Sequence, residues 1–221
     1  MQLFHPDNAL WQGINKVLLI LYAGILWFLC SLPVITMGAA SSALLEVMMK
    51  LVRNQEGYIG PSFFGAFRRS LRTGIAGWLP LLAALLLFSV NTFYYFLAGT
   101  TFRFQAVLFF FLLLFSMGAA VWFFGIAAKF EAAAGETLRL ALLLAVRNPG
   151  WTLFFILLQA AALFVCWFFV YLPLLFGAGL IAYVQAAAFN HIFERLLENG
   201  TIVPQTQDAS DMNEANGGIH S

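Results

Sequence analysis

Residues 104–128 read FQAVLFFFLLLFSMGAAVWFFGIAA, a run without a single charged side chain. An α-helix needs about 20 apolar residues to cross the hydrocarbon core of a bilayer. This run supplies them, and so does Gly74–Ala98 just before it, across the short Gly99–Arg103 turn. Downstream, Trp151–Leu172 and Pro173–Asn190 repeat the pattern, separated only by a Pro-containing turn. Composition agrees. Hydrophobic residues make up 62% of the chain and charged residues 10%, and 25 of the 221 residues are Phe. A soluble domain carries about 25% charged residues, so this chain could not solvate its surface as a globule in water.

Upstream, the region from Trp11 to Arg53 admits two readings. In one, Val17–Met37 is a single kinked span and Ala39–Arg53 lies on the inner surface. In the other, Ser31-Leu32-Pro33 is a tight outer turn between two crossing helices. Pro33 would then open the second helix, where its missing N–H is harmless, and Gly38, Ala39, Ser42 and Ala43 would meet a neighbour closely, as small residues allow in membranes.

Basic residues set the orientation. Lys50, Arg53, Arg68, Arg69 and Arg72 precede Gly74; Lys129, Arg139 and Arg147 separate the middle and last apolar pairs; Arg195 follows the last. The positive-inside rule places these in the cytoplasm and Arg103 outside. Lys16 joins the inner set only if the N-terminal region is a hairpin. Three apolar pairs also end alike at the inner face, in small residues and an acid: Ala43–Glu46, Ala127–Glu131 and Ala187–Glu194. The expected fold is all-α, a polytopic transmembrane helical bundle of six helices as three hairpins with both termini inside. The alternative is five spans plus an inner surface helix. Residues 1–198 form one transmembrane domain. Residues 199–221 are polar, too poor in apolar surface to order themselves, and make a disordered, mildly acidic cytoplasmic tail.

Two amphipathic stretches lie on the inner side. After Gly60-Pro61, which reads as a helix break with Ser62 as the next cap, Phe63, Phe64, Phe67 and Leu71 share one face and Arg68, Arg69 and Arg72 the other. This reads as a surface-lying helix with aromatics in lipid and arginines at anionic headgroups. A docking helix for a cytoplasmic partner is the sharper reading. Glu136–Arg147 is the second stretch, capped by Thr137, polar through Arg139 and Arg147, and ended by Asn148-Pro149-Gly150. Trp151 then enters the bilayer at the interface. Arg68, Arg69, Arg72, Arg139 and Arg147 are thus the candidate partner or headgroup contacts.

Polar groups inside apolar runs are costly in lipid. Glu46 has Lys50 one turn on, the spacing of an intrahelical ion pair. Asn91 and Thr92 sit toward the outer end of their helix. Gln159, Gln185, Asn190 and His191 lie along the last pair, where Gln159 and Gln185 can bond each other or neighbouring backbone. Hydrogen bonding between helices is the preferred reading. A polar substrate path would normally bring more charge or a broken helix near the midplane. Cys30 and Cys166 match no metal or redox spacing and read as apolar packing residues.

Enzyme signatures are absent. His5, His191 and His220 are scattered without a metal motif; no phosphate loop or nucleophile elbow occurs. No catalytic residue, cofactor or metal is expected. Net charge is +1, and no stretch combines basic residues with exposed stacking aromatics in a polar context, so no nucleic-acid partner is expected. The N-terminus lacks the basic region of a signal peptide.

The stretches Leu32–Ala40, Leu51–Ile59 and Ser62–Arg69 resemble the YesL-like family of bacterial integral membrane proteins of unknown function. The resemblance is strongest over the first third of the chain and carried by Leu32-Pro33-Val34, Thr36, Gly38-Ala39 and the Phe- and Arg-rich helix after them. It implies a multi-pass protein of the bacterial cell membrane. Members often accompany carbohydrate-uptake ABC transporters, so it implies an accessory role there, with lipid and transporter subunits as partners. It brings no catalytic residue. Two rival functions stand beside it. A small transporter acting as an oligomer should show a water-lined cavity reaching Gln159 or Gln185. A membrane sensor should change at its inner loops on binding a ligand.

Overall fold

The computed structural model of the chain describes residues 9–54, 58–98, 102–130, 132–168 and 172–198. Among these, seven α-helices occur and no strand: α1 (Ala9–Ser31), α2 (Met37–Val52), α3 (Ile59–Leu97), α4 (Arg103–Lys129), α5 (Ala134–Arg147), α6 (Pro149–Phe168) and α7 (Leu172–Glu198). A 3₁₀ turn, Val34–Thr36, precedes α2. The expected tail, His5, His220, Glu131 and residues 99–101 of the Gly99–Arg103 turn lie outside the described residues, as does the side chain of Cys166.

Four stretches are long and apolar enough to cross a membrane: Ile14–Ser31, Val34–Val52, Ile59–Leu97 and Arg103–Lys129. The bent pair Ala134–Arg147 and Pro149–Ala161 makes a fifth if it counts as one span. The chain is therefore a helical membrane protein, with fewer such stretches among the described residues than the six expected. The last expected pair is helical, as α6 and α7, with residues 169–171 between them outside the described set.

The N-terminal region folds back on itself. Trp27 Nε1 donates to Ser41 Oγ at 3.1 Å, and Lys16 Nζ to Asn54 Oδ1 at 2.6 Å, joining the start of α1 to the end of α2. The stretch Val34–Val52, which contains α2, is the most enclosed of the four, 67% buried against 22% to 39% for the others. Pro33 does not open α2. It precedes the 3₁₀ turn, and α2 begins at Met37. The turn is tied to α3 through Trp78 Nε1, which donates to the Val34 carbonyl at 2.9 Å.

Small residues explain the burial of α2. A Cβ added to Gly74 of α3 would lie 2.7 Å from the backbone of Ala39, and one on Gly38 would lie 2.5 Å from Trp78 Cβ. Ala39, Ala40, Ser42 and Ala43 are fully buried. Backbones meet here because side chains do not intervene, the arrangement that favours helix association in lipid. Large apolar residues face the other way. Leu86, Val90, Phe93, Phe96 and Leu97 of α3 and Phe104, Phe110 and Phe111 of α4 are exposed. Such contiguous apolar surface is uncommon on soluble proteins and suits acyl chains.

α3 departs from expectation. Phe63–Arg72 is not a separate surface-lying helix but the first part of one 39-residue helix that runs unbroken through Gly74 and Pro80. At 1.5 Å per residue that helix is about 58 Å long, well beyond a hydrocarbon core of about 30 Å. Gly60 and Pro61 do not break it, because they occupy its first turn, where a missing N–H costs no intrahelical bond. Ser62 is not its cap either; Tyr58 holds that position.

By internal contacts the chain divides into residues Met1–Ala187 and Ala188–Ser221, with the boundary inside α7. Of the second unit, residues 188–198 are described as helix, with Phe189 stacked on Phe193 at 5.6 Å.

Candidate functional site

The strongest polar feature joins α2 to the lower part of α3. Glu46, whose side chain is only 11% exposed, accepts from Lys50 at 2.8 Å and from Arg69 Nη2 on both carboxylate oxygens at 2.7 Å. The Glu46–Lys50 pair expected from spacing is present. Arg69 is the partner that spacing within one helix could not supply. Asn54, just past α2, adopts a positive φ of 55° and donates its N–H to the Leu51 carbonyl, closing the helix end. Asn tolerates that conformation better than most residues.

All of these residues fall within one stretch that other proteins share. Residues 20–92 match DUF624, a family of proteins of unknown function. The DUF624 match covers about a third of the chain and contains the quoted stretches that resemble YesL-like proteins. It takes in most of α1, all of α2 and most of α3, including Gly38, Gly74, Glu46 and Arg69. Searches of curated proteins and of solved structures find no match.

The aromatic face at the start of α3 is split. Phe63 is fully buried and stacks on Phe67 with ring centroids 6.3 Å apart, whereas Phe64 is exposed. Arg68 and Arg72, still within the DUF624 match, are exposed. Of the expected contact residues, Arg69 thus serves an internal ion pair, and Arg68 and Arg72 face outward.

Beyond the DUF624 match, α5 and α6 meet at 101°. Arg139, Arg147, Leu140, Leu142, Leu143 and Val146 of α5 are exposed. Thr137 does not cap α5 as expected. Ala133 holds the cap position, and the Thr137 hydroxyl donates back to its carbonyl at 3.1 Å. The corner is fastened by a knot that the sequence reading missed. Trp122 Nε1 of α4 donates to Thr152 Oγ1 at 3.0 Å, and that hydroxyl reaches the Ala145 carbonyl at 3.0 Å. Both Trp122 and Thr152 are buried. The signal for it was Thr152 directly after Trp151 at a helix start, which looks like ordinary interfacial sequence.

Gln185 Nε2 donates to Gln159 Oε1 at 3.4 Å, a long bond between α7 and α6. The pair lines a cavity of about 140 Å³ with Trp27 and Ser41 among its other walls. Asn91 and Thr92 spend their hydrogen bonds within α3, donating to the carbonyls of Leu87 and Phe88 at 2.7 Å each. His191, in the second unit, is exposed. The structure therefore brings together Glu46 with Arg69, and Gln159 with Gln185. It leaves Asn91 on a closed local bond.

Proposed function

We propose that this chain is an accessory or scaffolding protein, without catalytic activity, that docks a partner through its basic inner end. The observation that carries the reading is the outward display of Arg68 and Arg72 on the extension of α3, and of Arg139 and Arg147 on α5. Arg69, by contrast, is engaged internally, so the outward arginines are not needed for that part of the fold. The reading takes the chain as a multi-pass protein of the bacterial cell membrane with six spans and cytoplasmic termini. The four long apolar stretches and the lopsided placement of Lys and Arg support this orientation. The YesL-like resemblance directs the choice of partner toward subunits of a carbohydrate-uptake ABC transporter.

The test replaces Arg68, Arg72, Arg139 and Arg147 by Gln, leaving Arg69 in place. Loss of attraction to anionic lipid alone costs about 1 kcal/mol per residue, too little to prevent insertion of the apolar spans. Affinity purification from native membranes at mild ionic strength should recover transporter subunits with the wild type and markedly less with the variant. Unchanged recovery would end the docking proposal.

One observation favours a second reading. The cavity beside Gln159 and Gln185 is the feature a small transporter would need. If Gln159→Leu or Gln185→Leu abolishes uptake of a solute while the four-Arg variant does not, the membrane-path reading replaces docking.

A further inference from the structure

The cavity of about 140 Å³ beside Gln159 and Gln185 is walled by α1, α2, α4, α6 and α7. Among the described residues no charged side chain lines it, and its hydrogen-bonding side chains are Trp27, Ser41, Gln159 and Gln185. These four form two pairs, Trp27 with Ser41 and Gln185 with Gln159. Each pair joins neighbouring helices, and helix association explains either pair taken alone. It does not explain an open space with both pairs on its walls. The space itself comes from α7, whose Ala178, Ile181, Ala182 and Gln185 recur at the spacing of one helix face and set two alanines against the cavity. Leu45 and Phe124, also on the walls, each lie five residues before the lysine in the last turn of their helix. At about 7.5 Å of rise, the cavity begins inside the apolar stretches and clear of the basic end.

The two pairs leave hydrogen-bonding capacity unused. Ser41 accepts from the Trp27 indole and, among the described residues, has no acceptor for its own proton. The amide bond uses Gln185 Nε2 and Gln159 Oε1, which leaves the Gln159 N–H groups and the Gln185 carbonyl without protein partners among the described residues. Turning both amides over reverses the bond and leaves the same donor and acceptor. Gln185 is only 7% exposed, and unpaired polar groups cost most in such surroundings. An occupant that both donates and accepts hydrogen bonds removes that cost. An ion finds no countercharge here, and an apolar occupant leaves the amides unpaired. A cavity of about 150 Å³ holds one benzene, about six non-hydrogen atoms, and glycerol has as many. The walls are set in advance: a Cβ on Gly179 of α7 would run into the Ile20 carbonyl of α1, and one on Gly118 of α4 into Thr152 of α6. A preformed site lowers the cost of binding.

We propose that this cavity binds a small uncharged polyol of glycerol size, with Ser41, Gln159 and Gln185 as its hydrogen-bonding contacts. Any transport of that polyol rests on the membrane-path reading above, whereas binding stands or falls by itself. The site is distinct from the outward arginines proposed for docking.

The experiment measures binding of radiolabelled glycerol to the full chain in neutral, glycerol-free detergent by scintillation proximity. The chains compared are wild type, Gln185→Leu, Ser41→Ala, the cavity-filling Ala178→Leu, and Thr92→Val as a control whose hydroxyl bonds only within α3. Wild type and Thr92→Val should bind saturably and alike. Gln185→Leu and Ser41→Ala should each bind about fivefold more weakly, the weight of one ordinary hydrogen bond. Ala178→Leu should lose binding while its helical circular-dichroism spectrum stays that of wild type. Unlabelled glycerol should displace the label, and equal concentrations of glycerol 3-phosphate or 1-propanol should not. The proposal is wrong if wild type shows no saturable binding, so that the cavity holds only water. It is equally wrong if folded Ala178→Leu binds like wild type, or if the charged or the apolar competitor displaces the label as well as glycerol does. Light scattering from proteoliposomes in a glycerol gradient separates the two readings. Saturable binding without faster glycerol entry keeps the site and ends the membrane path, whereas absent binding ends the proposal and leaves that path to another solute.

Discussion

The meeting of α2 with α3 and the outer halves of α3 and α4 are both apolar, yet they are built in opposite ways. Around Gly38, Ala39 and Gly74 the helices approach so closely that a Cβ on either glycine would run into neighbouring backbone or the base of Trp78. Around Tyr95, Phe102 and Phe109 the contact is made by rings 5.6 to 6.1 Å apart, and neighbouring Phe96 and Phe104 face outward. Lipid chains are as apolar as leucine, so hydrophobicity alone cannot hold helices together. Close packing must do so, and that is the task of the first region. The second presents a surface to lipid and tolerates loose, bulky contacts. Small residues thus mark the closest helix contact and large apolar ones such as Phe96 and Phe104 the outer surface, while Trp122, Phe123 and Phe155 fill the interior elsewhere.

The sharpest way to break the comparison is to enlarge a residue in the first region. Gly74→Ala places a methyl against the Ala39 backbone, which cannot rotate away. Its cost should fall at the upper end of the roughly 1–3 kcal/mol typical of overpacking, read as lost thermal stability in detergent. Phe96→Ala, on the outer surface, should change stability by well under 1 kcal/mol in the same assay. Equal effects at the two sites would erase the distinction.

The next effect concerns the ion pair at the base of α2. Arg69→Gln leaves the nearly buried Glu46 carboxylate with Lys50 as its remaining cation, and should cost about 1–3 kcal/mol. Glu46→Gln should cost less, because Arg69 is about half exposed, 49% by side chain, and can turn to water. A larger loss for Glu46→Gln than for Arg69→Gln would contradict the assignment of Glu46 as the enclosed member. Thermal unfolding of the two variants decides it.

The smallest effect belongs to the last pair. Interhelical hydrogen bonds in membranes average about 0.6 kcal/mol, and the Gln159–Gln185 bond is long at 3.4 Å. Gln185→Leu should therefore leave stability within about 1 kcal/mol of wild type. That mildness makes the variant useful, since any loss of solute uptake would then report on the cavity rather than on folding.

Much of this architecture was legible in the sequence for reasons that stay within one element. Gly74–Ala98 and Phe104–Ala128 declared themselves by length and absence of charge. Gly38, Ala39, Ser42 and Ala43 declared a close contact, and Glu46 with Lys50 a pair one turn apart. What failed were inferences about breaks and about partners distant in sequence. Gly60-Pro61 looked like a helix break, but a first turn absorbs proline without losing a bond. The continuity of α3 through Gly74 was hidden because glycine reads equally as a hinge and as a contact. The Arg69 bond to Glu46 spans 23 positions and the Trp122 bond to Thr152 spans 30. No periodicity links such residues; only the packing of α2 on α3, and of α4 on α6, brings them within reach.

The central claim is that the basic end and Arg103 lie on opposite faces of the membrane, as the 27-residue α4 between Arg103 and Lys129 requires of a spanning helix. With Cys30 and Cys166 replaced by Ala, single cysteines at Arg103, Arg68 and Arg147 can be probed in intact cells with a membrane-impermeant thiol reagent. Arg103→Cys should label from outside, whereas Arg68→Cys and Arg147→Cys should label only after the membrane is permeabilised. Labelling of Arg147→Cys in intact cells, or protection of Arg103→Cys together with it, would contradict the orientation on which the docking proposal stands.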